Sequence, residues 1–182
     1  MMPKYENLGN FFDAKDKTPC LLSCITMKLL CDHMLGSLAK WLRIFGFDTL
    51  YPDATTNDDE VLHIAKAEKR LLLSRDKELI LRGKKVKLDV LEIQTTDLDE
   101  QLAEVLTHIQ IDSTQVLTRC TLCNTPLISV EKKAIKTHIP PKVFETRDQF
   151  WYCSVCNKYY WMGTHYENMI EKINELTNKN NQ

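Results

Sequence analysis

"MKLLCDHMLGSLAKWLRIFGFDTLY", residues 27–51, carries two short apolar runs on either side of a helical period. The first run, 27–31, reads as a strand. After it Met34, Leu35, Leu38, Trp41, Leu42 and Phe45 recur at the spacing of one helix face. Gly46 ends that helix, and 47–51 reads as a second strand. The same alternation continues outward. The turn-rich "PDATTN" leads to a helix over 58–69, capped by Asn57 or Asp58. "RLLLS" (70–74) predicts a third strand, 77–81 a short helix closing at Gly83, 86–93 a fourth strand and 97–109 a fourth helix. Strand then helix, four times over, predicts an α/β domain whose parallel sheet has helices on its faces.

Three segments are expected: a tail over 1–26 without periodicity, the α/β domain over 27–112, and a cysteine-rich module over 113–182. In the last, 113–119 reads as a connector and "YENMIEKINELTN" as a closing helix with Met169, Ile173 and Leu176 on one side. With 182 residues, 43% hydrophobic and 27% charged, the chain has the composition of an ordinary soluble protein. Lys28 and Asp32 interrupt the most apolar stretch, so no membrane span is expected, and the first 26 residues lack the pattern of a secretory signal. A cytoplasmic location follows. The net charge of -1 hides an asymmetry: 27–112 carries 12 basic and 16 acidic residues, 113–182 carries 9 and 6.

In a parallel sheet the ligand lies beyond the carboxyl ends of the strands. Asp32 follows the first strand, Asp58, Asp59 and Glu60 open the helix after the second, Asp76 follows the third and Asp97 the fourth. Clustered carboxylates suit magnesium or manganese, which keep waters for a phosphate substrate. The simpler reading is capping, because Asp at a helix start accepts free N–H groups and favours the helix dipole. That suffices for Asp58, Asp59, Glu60 and Asp97. Asp32 and Asp76 directly follow interior strands, where neighbouring carboxylates are costly without a cation between them. Ser37, Lys40 and Arg43 on the first helix and Arg75 beside Asp76 are candidates to hold a nucleic-acid backbone, against the default of a solvated face.

Of seven cysteines, four form two identical spacings, "CTLC" (120–123) and "CSVC" (153–156), separated by 29 residues. Two such pairs complete a tetrahedral zinc site from Cys120, Cys123, Cys153 and Cys156. His138 is a substitute ligand only if one cysteine is spare. Asn124 and Asn157 each follow a pair, where a knuckle turn requires a left-handed residue that Asn tolerates. The gap is expected to hold a hairpin and the "HIPPK" loop. Phe150, Trp151, Tyr152, Tyr159, Tyr160, Trp161 and His165 read first as the small core of this module and second as a surface for unpaired bases.

Taken together, "CDHMLGSLAKWLRIFGFDT", "NDDE", "LLLSRD", "RCTLCN" and "FWYCSVCNKYYWMGTHYENM" resemble the Mut-seven C-terminal ribonuclease family over residues 27 to about 176. The resemblance implies a PIN-like nuclease domain, an appended zinc ribbon and a metal-dependent RNase. Asp32, Asp58 or Asp59, and Asp76 stand at the positions of the family's acidic site. A non-catalytic RNA- or ribosome-binding adaptor is the alternative. A phosphatase of the haloacid-dehalogenase type is disfavoured, because Met34 stands where a second Asp is needed.

Overall fold

The computed structural model describes residues 27–112 and 114–163, together with Met169, Glu171, Lys172 and Glu175. The expected tail over 1–26 and His165 lie outside these residues, as does most of the closing helix. Its four described members are helical.

The first half alternates as its periodicity requires: β1 (Lys28–Cys31), α1 (Gly36–Ile44), β2 (Asp48–Leu50), α2 (Asp58–Ala67), β3 (Leu71–Ser74), α3 (Lys77–Lys85), β4 (Val90–Glu92) and α4 (Leu98–Leu106). A 3-10 turn, His33–Leu35, leads into α1. The four strands are parallel in the order β2-β1-β3-β4. Neighbouring residues of the inner strands serve opposite faces, because side chains alternate across a strand. Leu29 and Leu73 join Leu38, Leu42, Phe45, Leu102 and Val105 on one face. Leu30 and Leu72 join Val61, Ala65 and Leu79 on the other. Burial on both faces explains why β1 and β3 read as unbroken apolar runs.

Two expectations are corrected. Helix α3 does not close at Gly83 but runs on to Lys85. A Cβ at Gly83 would stand 3.0 Å from Val90 Cγ2, so the glycine lets α3 lie close against β4. The fourth strand is correspondingly short: Lys87 takes a left-handed φ of 61° and the chain turns before β4 begins at Val90. At Gly46 the expected stop is present, with φ +94°.

The second half holds an antiparallel sheet of order β5-β6-β7, from β5 (Ile128–Val130), β6 (Phe150–Cys153) and β7 (Lys158–Trp161). The stretch between the cysteine pairs carries β5 and most of β6, an antiparallel pair as expected, joined by a long connection that holds a 3-10 turn (Lys132–Ile135) and a short helix α5 (Pro141–Thr146). Pro141 sits in the first turn of α5, where its missing N–H costs nothing. Ile135, Ile139 and Phe150 form the small core, with Val143, Phe144, Tyr159 and Trp161 against it.

The connector is fastened to the first half. Leu117 N–H donates to the Ile44 carbonyl at 2.8 Å, and Val116 and Leu117 pack on the α1–α4 core. Met169 packs on that core too, while Lys172 pairs with Asp99 and lies 5.2 Å from the Trp41 ring. No helix among the described residues is long and apolar enough to cross a membrane.

Candidate active site and metal centre

Parallel pairing brings the carboxyl ends of all four strands to one side of the sheet, and the acids there are held by the helix starts. Asp32 is 3% exposed. Its Oδ1 accepts from Met34 N–H at 2.8 Å, and its Oδ2 accepts from Arg75 N–H at 3.1 Å and from the Ser74 hydroxyl. Ser74 Oγ in turn accepts from Asp76 N–H at 2.9 Å. Asp76 caps α3 through one oxygen, Oδ1 accepting from Glu78 N–H at 2.7 Å and Leu79 N–H at 3.2 Å, which leaves Oδ2 available. A single chain of bonds, Asp32 to Ser74 to Asp76, thus links β1, β3 and α3. Among the described residues neither aspartate has an ion-pair partner.

Sequence reasoning missed Ser74. The available signal was its position: it is the last residue of an apolar strand, beside "RD", where a buried hydroxyl needs a partner at the carboxyl end. Glu92, half-buried and in register with Ser74 on β4, is a second acid at this end.

The other candidates are placed differently. Asp58 and Asp59 lie in the first turn of α2, whose cap is Asn57 in a capping box with Glu60. Arg82 of α3 engages both, reaching Asp58 at 3.2 Å and also Asp59. Asp97 caps α4. Among the described residues no three carboxylates gather as a metal-ligand group. Ser37 and Lys40 are exposed on α1, with Ser37 in its first turn. The Nε of Arg75 is buried without a hydrogen-bond partner.

Arg43 is a correction. It is 5% exposed in the last turn of α1, and its guanidinium donates to the carbonyls of Thr49 (2.9 Å), Thr121 (3.2 Å) and Leu122 (2.7 Å). These acceptors lie on β2 and inside the first cysteine pair, so the group is committed within the protein. Arg70, just before β3, is likewise internal, bound to Asp48, Glu68 and the Leu29 carbonyl.

The candidate metal centre is the cluster of Cys120, Cys123, Cys153 and Cys156, whose sulfurs all lie within 4.8 Å of one another. Cys120 and Cys156 stand 3.9 Å apart, Cys123 and Cys153 3.4 Å. A zinc ion with Zn–S bonds of about 2.3 Å separates its sulfurs by about 3.8 Å, so the donor set fits that ion. Asn124 and Asn157 have φ of 69° and 53°, the left-handed turn expected after each pair. Burial works against the Cys123 thiolate, but hydrogen bonds with Thr125 and then with Cys156 and Cys153 together outweigh it and bring its pKa down to about 6. Sharing protons with Cys123 and, second, burial push Cys156 up to about 12. Crowded sulfurs suppress one another's ionisation, which a divalent cation relieves. His138 is no substitute ligand: its ring packs on Tyr159, centroids 5.5 Å apart, and all four cysteines are in place. Of the aromatics, Phe150 is buried, Tyr152 packs at a tilt on Tyr159 with centroids 4.9 Å apart, and the Tyr160 hydroxyl lies 3.1 Å from Cys120 Sγ, so all four contribute to the module's own packing.

Comparison with curated proteins and with solved structures gives no match. A family model described as the Mut7-C RNAse domain matches residues 27–173, which takes in both the parallel sheet and the four-cysteine centre. That span is most of the chain, and it contains both the acidic strand ends and the paired cysteines. The protein therefore belongs to the Mut7-C RNAse domain family.

Proposed function

We propose that this protein is a metal-dependent ribonuclease hydrolysing RNA phosphodiester bonds, with Asp32 and Asp76 as the principal ligands of a magnesium or manganese ion. The observation that carries the reading is the Asp32 carboxylate: buried, fixed by three donors, and without a cationic partner among the described residues. A buried carboxylate of that kind is costly unless a cation completes it. A divalent ion there would activate water and neutralise charge on the phosphate. Asp76 supplies its free Oδ2, and Ser74 keeps the two acids in register. Asp58 or Asp59 serves as the third carboxylate only if Arg82 yields it. Ser37, Lys40 and Arg75 hold the flanking phosphates, a role Arg43 does not share.

Zinc in the four-cysteine centre is structural, holding the module of 113–182 onto the nuclease domain of 27–112. Four reduced thiols require a reducing compartment, which makes the cytoplasm the proposed location. The adaptor reading draws on one observation, that no three carboxylates gather among the described residues. Cleavage of a mixed RNA pool separates the two. The ribonuclease reading expects products with magnesium or manganese and none with EDTA, whereas intact RNA that is bound under all conditions supports the adaptor. Elemental analysis is expected to find one zinc per chain.

A further inference from the structure

The edge strand β2 has no neighbouring strand on its outer side, yet Thr49 at its centre is fully buried. What covers it is the first cysteine pair. Thr49 N–H donates to the Asn124 side-chain carbonyl at 3.0 Å, and the Asn124 amide donates to the Asp48 carboxylate at 2.7 Å. From the other direction Arg43 donates to the carbonyls of Thr121 and Leu122, the two residues between the cysteines. Arg119, just before Cys120, donates to the Gly46 carbonyl at 3.2 Å and to the Asn124 carbonyl at 3.0 Å. Every one of these bonds needs residues 119–124 in one particular turn, with Asn124 left-handed at φ 69°.

We infer that metal loading of the four-cysteine centre controls the edge of the nuclease sheet: the zinc-held turn acts as the missing neighbour of β2, and loss of zinc opens that strand. This rests on the zinc reading above and is independent of the catalytic one. The physical chain is short. Tetrahedral thiolate coordination fixes Cys120 and Cys123, and with them the carbonyls and the Asn124 side chain that face the domain. When the turn relaxes, the Thr49 N–H and the Arg43 guanidinium lose buried partners, and a strand edge without partners opens to water. Coupling of this kind is reciprocal, so contacts that hold the turn on β2 also hold the zinc.

The test is amide hydrogen exchange on the full chain, with zinc content measured in the same samples. Chelation of zinc is expected to speed exchange at Thr49 at least tenfold, while Leu72 and Leu73 on the inner strand β3 stay slow. Asn124→Gly keeps the left-handed turn and all four cysteines but removes the side chain. It is expected to retain one zinc per chain, to expose Thr49 to the same degree, and to release zinc to a chelator several-fold faster than the wild type. A zinc-loaded protein whose Thr49 protection survives both chelation and Asn124→Gly overturns the coupling. A purified protein without zinc whose Thr49 is nevertheless protected overturns the zinc reading itself.

Discussion

The Ser74 hydroxyl at the end of β3 donates to the Asp32 carboxylate at the end of β1, and the same oxygen accepts the Asp76 N–H at 2.9 Å. One buried side chain thus sets the relative position of the two acids assigned to the metal.

That geometry separates two substitutions the sequence treats alike, since both Asp32→Asn and Asp76→Asn would be expected to abolish chemistry and spare the fold. Asp76 caps through Oδ1 alone, and Asn caps nearly as well. Asp76→Asn is therefore expected to melt within a few degrees of wild type while cleavage falls roughly a hundredfold. In Asp32→Asn an amide nitrogen must face a donor, Met34 N–H on one side or Ser74 and Arg75 N–H on the other, at a cost of about 1–3 kcal/mol. Its melting temperature should drop as well. Wild-type cleavage by Asp76→Asn at saturating manganese would sink the metal assignment.

Ser74→Ala removes the donor to Asp32 and the acceptor for Asp76 N–H inside a fully buried site. The expected loss is about 1–3 kcal/mol of stability. Because the carboxylates then lose their register, the manganese concentration giving half-maximal cleavage should also rise. A destabilised variant with an unchanged manganese midpoint would mean that Ser74 only packs.

Asp48 gives a pH signature. Burial raises its pKa, but bonds from Arg70 and Asn124, with the charges of Arg70 and Arg119, outweigh it and hold the carboxyl below the usual carboxylate range. A depressed folded pKa means that the stabilisation is complete above the unfolded value of about 3.9 and is lost as pH falls through the folded value. Urea midpoints should therefore fall on acidification below about pH 4, and the fall should be shallower in Asp48→Asn. Equal slopes in the two proteins would remove Asp48 from the account.

At Gly46 the prediction is steric. Its φ of +94° disfavours any side chain, and an added Cβ would stand 2.2 Å from the Gln115 carbonyl oxygen of the connector. Gly46→Ala should cost at least about 2 kcal/mol, read as a lower urea midpoint. Unchanged stability would show that the connector does not lie against this turn.

Local pattern carried the strand–helix alternation, because a strand buried on both faces must be apolar throughout and an amphipathic helix must repeat near 3.6 residues. It carried the cysteine spacing and the left-handed Asn124 and Asn157 for the same reason: each follows from the geometry of a few consecutive residues. It also placed Asp32 and Asp76 at strand ends. What local pattern does not contain is the partner of a side chain brought in from elsewhere in the chain. Arg43 reads as a solvated cation on a helix face until Thr121 and Leu122, 78 and 79 residues on, supply the carbonyls that bury it. Asp32 reads as an acid at a strand end, but not as one whose carboxylate Ser74 and Arg75 close around. Both decisions were made by the packing of β3 beside β1 and of the cysteine turn against β2, because burial fixes which polar groups must pair and only the assembled fold fixes with which.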